Sequence, residues 1–201
     1  MKVAIIDYGA GNVPSVERAL QKLGANPARV NDADGLAGTR AIVLPGVGHF
    51  SALIRALDER ALRAPLVEAI LCGRPFLGIC LGLQALYQSS EEAPNLAGLG
   101  VLPGEVRALP ANVKLPHMGW NRLKIRRRAP VLEGLSGEHH FYFAHSFAVQ
   151  TGDGETAAVC EYGAEFGAVI AVDRVCAVQF HPEKSGEAGS VLLANFLRLA
   201  A

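Results

Sequence analysis

The sequence predicts an α/β protein: an open, mostly parallel β-sheet flanked by helices, with an antiparallel extension. Up to about Gly100, short apolar runs alternate with stretches of helical periodicity, the pattern of β-α-β units. Beyond Gly100, strand-like segments follow one another, joined by turn residues. The 201 residues are 50% hydrophobic and 19% charged, which excludes disorder and suffices for one large core. No repeat, low-complexity tract or Pro/Ser-rich linker divides them, so residues 1–201 are expected to form a single domain.

The first predicted strand is Lys2 to Asp7. A Gly9-Ala10-Gly11-Asn12 loop leads from it into a helix with Val13, Val16, Leu20 and Leu23 on one face. Ala41 to Leu44 reads as the second strand, ending at Pro45-Gly46-Val47-Gly48 before an amphipathic helix carrying Phe50, Leu53, Ile54 and Leu57. A helix over Ala64 to Cys72, a strand over Phe76 to Ile79 and a helix over Leu81 to Ser89 follow. The later strands are expected at Val101–Val106, Arg122–Ile125, Phe141–Phe147, Ala157–Glu161, Phe166–Val172 and Val175–Phe180, all extending one sheet. A helix over Ala188 to Ala200 ends the pattern, with Val191, Leu192, Phe196 and Leu199 facing inward.

Charge and cysteine usage narrow the function. Nineteen Lys plus Arg balance nineteen Asp plus Glu, leaving no basic surplus for nucleic acid. No stretch approaches the roughly 18 apolar residues of a membrane span, and the N-terminal run is too short for a signal sequence, so a soluble, cytoplasmic protein is expected. Cys72, Cys80, Cys160 and Cys176 form no CxxC pair and have no His at ligand spacing, so neither a metal site nor a disulfide framework is indicated.

Gly78-Ile79-Cys80-Leu81-Gly82 sits between a predicted strand and a predicted helix. This is a nucleophile elbow with cysteine in place of serine: a tight turn exposes the nucleophile, and the flanking glycines avoid Cβ clashes. The helix N-terminus favours a thiolate there. The same residues also suit a buried cysteine at a strand end. Phe180-His181-Pro182-Glu183 supplies a base and its orienting carboxylate, since i and i+2 share a face of an extended segment; an ordinary surface turn is the alternative. The Leu81 N–H and the Val47 N–H of the Pro45–Gly48 loop are candidate oxyanion donors, although that loop also fits a plain turn.

Together, Pro45-Gly46-Val47-Gly48, Gly78 to Gln84 and Gln179 to Ser185 resemble the class I (triad) glutamine amidotransferases. Asp7 to Asn12, Pro116 to Asn121 and Phe141 to Phe147 resemble one branch of that family, the glutaminase subunits of imidazole glycerol phosphate synthase. The resemblance implies a class I amidotransferase fold and a Cys80-His181-Glu183 triad that hydrolyses L-glutamine through a thioester, with no cofactor. It places Gly48 beside the amide, Gln84 and Glu92 at the substrate's polar end with Glu92 on the α-ammonium, and Ser146 and Phe147 at the α-carboxylate. It also implies a heterodimer with a (β/α)8-barrel cyclase that receives the ammonia and makes imidazole glycerol phosphate and aminoimidazole carboxamide ribonucleotide in histidine biosynthesis. Asn12, Met118, Trp120, Tyr142 and Lys184 fall at or near that interface, although Trp120 also suits a core or edge position.

Leu83, Ala144 and Phe147 depart from the family's commoner Met, Val and Tyr, which puts a hydroxyl contact at position 147 in doubt. His49 reads as a solvent-facing helix start, and Arg126-Arg127-Arg128 as a solvated loop with partner docking as the alternative. A glutaminase serving another synthase, such as pyridoxal phosphate synthase, is the nearest competing function; the segments around Trp120 and Tyr142 oppose it. A catalytically silent regulatory module is opposed by the complete triad.

Overall fold

The computed structural model describes residues 1–151 and 154–201. The first half alternates strands and helices: β1 (Lys2–Ile6), α1 (Val13–Lys22), β2 (Asn26–Val30), β3 (Ala41–Gly46), α2 (Phe50–Glu59), α3 (Arg63–Leu71), β4 (Phe76–Cys80) and α4 (Leu81–Gln84). Strands then dominate: β5 (Ser89–Ser90), β6 (Glu105–Ala108), β7 (His117–Arg122), β8 (Lys124–Ile125), β9 (His140–His145), β10 (Phe147–Val149), β11 (Thr156–Tyr162), β12 (Ala164–Val172) and β13 (Val175–Val178), before α5 (Gly186–Leu199).

The main sheet runs β2-β1-β3-β4-β13-β12-β10-β6-β5, with β11 on β12 and β8 on β11. β2, β1, β3, β4 and β13 are mutually parallel, and the pairings of β12 with β13, β10 and β11 are antiparallel. Successive residues of β1 point to opposite faces. Val3 and Ile5 pack with Val13, Val16 and Leu20 of α1 and Leu192 and Phe196 of α5. Ala4 and Ile6 pack with Leu53, Ile54 and Leu57 of α2 and Leu66 and Ile70 of α3. Each of these large aliphatic side chains contributes about 2 kcal/mol by leaving water.

Four sequence expectations are corrected. The strand β2 was not anticipated: its Pro27 and polar flanks give no strand signal, and it is tolerated because β2 is the sheet edge, bonded only to β1. The helix expected over Leu81 to Ser89 stops at Gln84. The carbonyls of Ala85, Leu86 and Gln88 instead accept the N–H groups of Leu99 (2.7 Å), Leu102 (2.9 Å) and Gly98 (2.9 Å), which also displaces the next strand from Val101–Val106 to Glu105–Ala108.

The segment expected as one strand over Phe141–Phe147 divides at Ser146, where the chain leaves one sheet and enters another. Lastly, β7 does not extend the main sheet. Of the strand expected over Arg122–Ile125, Lys124–Ile125 does join the main sheet as β8, whereas Arg122 ends the unexpected β7, which with β9 forms a separate two-stranded ribbon, Trp120 opposite Tyr142.

The basic run is fixed by internal contacts. Arg126 Nη2 donates to both carboxylate oxygens of Glu165 (2.5 and 2.7 Å), and Arg127 Nη2 donates to the carbonyls of Glu155 and Ala171. Arg128 remains exposed. Among the described residues no helix is long and apolar enough to cross a membrane.

Candidate active site

Register brings the site together. In the parallel pairing of β3 with β4, Gly46 lies opposite Cys80, and in that of β13 with β4, Val178 lies opposite Ile79. The segments leaving β3 and β13 therefore both flank Cys80, at the carboxyl ends of central strands where open α/β sheets bind ligands.

Cys80 takes φ 54° and ψ −107°, a conformation costly for a residue with a side chain. The turn is that tight because its glycines touch backbone. A Cβ on Gly78 would come within 2.6 Å of the Gly82 carbonyl oxygen, and one on Gly82 would fall on the carbonyl oxygen of Leu44. A single helical turn follows, so Cys80 faces the N–H groups of that turn rather than the macrodipole of a long helix.

His181 Nδ1 lies 3.0 Å from Glu183 Oε1, both side chains almost wholly buried. The i, i+2 relation holds although Pro182–Lys184 form a 3-10 turn rather than extended chain. Burial alone would lower the His181 pKa; hydrogen bonds to the Cys80 sulfur and the Glu183 carboxylate, with the charges of both, outweigh it and push it up to about 10. The imidazole is thus poised to hold a proton between the Cys80 sulfur and the Glu183 carboxylate. Glu183 Oε1 also accepts from Asn12 Nδ2 (3.2 Å), tying the loop after β1 to the triad; Asn12 therefore also supports the triad, in addition to its expected place at the interface. The His181 N–H donates to the Tyr142 carbonyl (2.8 Å), which fixes its backbone against the β7-β9 ribbon.

These groups open onto a cavity of about 170 Å³ whose lining includes Cys80, Leu81, His181, Val47 and Gly48. Gln84, Glu92, Ser146 and Phe147 line it too, so the side chains and backbone expected around the substrate converge there. Larger hollows elsewhere, along Arg127–Leu135 and between α2 and α3, contain none of these residues. Glu92 Oε2 accepts the Phe50 N–H (2.7 Å), which orients the carboxylate at the start of α2. His49 is the N-cap of the same helix, its Nδ1 accepting from Ser51 N, and does not line the cavity.

Sequence reasoning missed one contact at the oxyanion loop: the Val47 N–H donates to the Tyr8 hydroxyl at 3.3 Å. Tyr8 is buried, and burial, opposed by that N–H and assisted by the charges of Cys80 and Asp7, raises its pKa to about 12, so the hydroxyl stays neutral. Asp7-Tyr8-Gly9 stood out in the sequence, but nothing in it linked Tyr8 to a residue 39 positions away.

Beside the cavity, burial lowers His117 to a pKa of about 4. Burial, opposed by the Phe147 carbonyl and assisted by His117 and His181, lowers His145 to about 3. Both stay neutral in the folded protein. The unfolded chain protonates them as pH falls through 6.5, so their contribution to stability is complete above 6.5 and is lost as pH falls through about 4 and about 3. We expect the urea midpoint to fall steadily from pH 7 to pH 4.5 and the slope to flatten in His117→Phe, whose ring can stack between Phe143 and Tyr162 as His117 does. His181 has the opposite sign: its contribution is complete below 6.5 and is lost as pH rises through about 10.

Met118 and Trp120 share a face of the ribbon and are 65% and 56% exposed. Trp120 meets Tyr142 edge-on (ring centroids 5.9 Å apart), and Lys184 Nζ lies 5.6 Å from the Tyr142 ring centre. Lys184 also reaches the cavity wall, so these residues make a continuous path from the exposed ribbon to the site.

A cysteine on such a turn, backed by a buried histidine and carboxylate above a parallel sheet, defines a thiol-dependent amidotransferase. Residues 4–200 match the family model Glutamine amidotransferase class-I, and the chain belongs to that family. Within it, the chain belongs with the imidazole glycerol phosphate synthase subunit HisH proteins. It is 45% identical over 197 residues to that of Methanothermobacter thermautotrophicus, covering 98% of both chains. It is 46% identical over 196 residues to that of Desulfitobacterium hafniense (96% of this chain, 92% of the relative). It is 43% identical over 194 residues to that of Bacillus cereus (96% and 93%). Solved structures share the fold: a glutamine amidotransferase at TM-score 0.79 and 24% identity (98% of both chains), and PurLQS from Thermotoga maritima at 0.78 and 21% (98% and 97%).

Proposed function

We propose that this chain is the glutaminase subunit of imidazole glycerol phosphate synthase, acting in the cytoplasm as a single amidotransferase domain. The observation that carries the reading is the convergence of Cys80, His181, the Val47-Gly48 loop and Gln84 on one cavity of amino-acid size, in a chain about 45% identical to subunits of that synthase. Cys80 gives its proton to His181, and the thiolate attacks the side-chain amide carbon of glutamine. The C–N bond breaks as His181 returns the proton to the departing ammonia. Water, deprotonated by His181, then cleaves the thioester to release glutamate and restore the thiol. Glu183, held by Asn12, keeps the imidazole oriented throughout.

Glu92 receives the α-ammonium and the backbone at Ser146 and Phe147 the α-carboxylate. The Leu81 and Val47 N–H groups stabilise the oxyanion, which requires the Val47 N–H to leave Tyr8. That exchange gives the site a resting state in which the second donor is occupied, and a docked partner can shift it because Val47 lies at the surface. The partner is a cyclase subunit seated on Met118, Trp120, Tyr142 and Lys184, which takes the ammonia before water protonates it.

The test is glutamate release by the chain alone, then with the cyclase and its ribonucleotide. Low activity alone and strong stimulation by the liganded partner are expected; equal activity in both conditions overturns the coupling. Trp120→Ala, at a half-exposed site, should leave the fold intact and weaken partner binding by about 2 kcal/mol, roughly thirtyfold, as titration calorimetry would show. Unchanged affinity removes the ribbon from the interface.

A further inference from the structure

The buried sulfur of Cys80 has a neighbour that the triad leaves unused. Gln179 is fully buried, one residue beyond β13, and its Nε2 lies 3.6 Å from Cys80 Sγ. A thiolate in a buried site needs donors, and His181, whose Nδ1 faces Glu183, has only one ring N–H to offer it.

The orientation of this amide is dictated from a backbone carbonyl outward. Phe147 O can only accept, so Gln84 must present its NH2 to it (2.8 Å). The other N–H of Gln84 then points at Gln179 Oε1 (3.1 Å), and Gln179 in turn must aim its own NH2 at the sulfur.

The same Phe147 carbonyl takes a second hydrogen bond from His145 Nδ1 (2.9 Å). A neutral His145 therefore has Nε2 free to accept from His117 Nδ1 (3.1 Å), and His117 Nε2 accepts from Asn121 Nδ2 (3.4 Å). Every member has one allowed polarity. The chain runs from β7, next to exposed Trp120, to the wall behind the nucleophile.

Given Cys80 as the nucleophile, we propose that Gln179 is a further catalytic residue: it donates a hydrogen bond to the Cys80 thiolate, and the Asn121-His117-His145 relay positions it by holding the Phe147 carbonyl and, through it, Gln84. The proton released by the thiol still goes to His181. Gln179 stabilises the anion without exchanging a proton.

The experiment is the pH dependence of iodoacetamide alkylation of Cys80 in a Cys72→Ser background, which removes the exposed thiol, with the protein free of substrate. In Gln179→Leu the midpoint of the alkylation profile should rise by about one pH unit, and partner-stimulated kcat should fall about tenfold or more with a smaller change in KM. Gln84→Leu, which leaves Gln179 in place but removes its anchor, should move the midpoint in the same direction by less, and serves if Gln179→Leu does not fold. A wild-type midpoint in whichever variant is folded overturns the proposal. Retained turnover in Cys80→Ala would instead overturn the assignment of the nucleophile, so the two failures are distinguishable.

Discussion

Cys80→Ala should lower partner-stimulated glutaminase turnover by on the order of 10⁴ or more, because no thioester can form and the remaining groups offer only binding and a hole for an oxyanion that never develops. Removing Sγ leaves the backbone turn in place and relieves nothing in the core, so partner affinity and melting temperature should stay close to wild type. The Cys72→Ser change, at an exposed residue just past α3, should leave turnover unaltered. Burial pushes Cys160 and Cys176 up to a pKa of about 12, which keeps both as thiols unable to substitute for the nucleophile. Activity of Cys80→Ala within tenfold of wild type would disprove the triad.

Gly82→Ala should be strongly destabilising for a change of a single methyl group. The added Cβ has no space of its own because it meets the Leu44 carbonyl oxygen, part of a central strand that cannot yield without breaking its pairing with β4. Ordinary overpacking costs about 1–3 kcal/mol; a clash with backbone on both sides belongs at or beyond the top of that range. Urea unfolding should show a midpoint well below wild type, and glutaminase activity should fall even where protein remains folded, since any relief moves Cys80. A wild-type midpoint would mean that α4 does not approach β3 as described.

The nucleophile and its strand were legible because every local signal around them agrees: an apolar run, glycines at the positions where the turn touches backbone, and a helix start. His181 and Glu183 read locally only as an i, i+2 pair that a surface turn also fits, and the extended segment expected there is a 3-10 turn; the family resemblance, not a local signal, joined them to Cys80. The edge strand β2 was not legible, since a half-exposed strand containing Pro27 and only Ala28 and Val30 as apolar alternation is too short a pattern to read. The end of α4 at Gln84 is decided by residues 98–102, which bond to carbonyls that a helix would have used, and no pattern within Leu81–Ser89 reports that. Single pairings across long separations, Tyr8 with Val47 and Gln179 with Cys80, depend on strand register and surface only when the sheet is assembled. The arginine run looked like solvated charge because its partners, Glu165 and the carbonyls of Glu155 and Ala171, come later in the chain.

The position of β13 also governs when the enzyme comes into being during synthesis. The strand that lies beside β4 at the middle of the sheet is the last one in chain order, and Asn12 waits for Glu183 across 171 residues. A ribosome that has delivered β1 to β4 and the cysteine has produced a sheet half with an open edge and no base. Pairing of such sequence-distant strands is intrinsically slow, and the exposed edge invites association until it is filled. On the proposed triad, glutamine hydrolysis is therefore withheld from every nascent chain until residues 175–183 have emerged and inserted, by which point the β7-β9 ribbon has already been made.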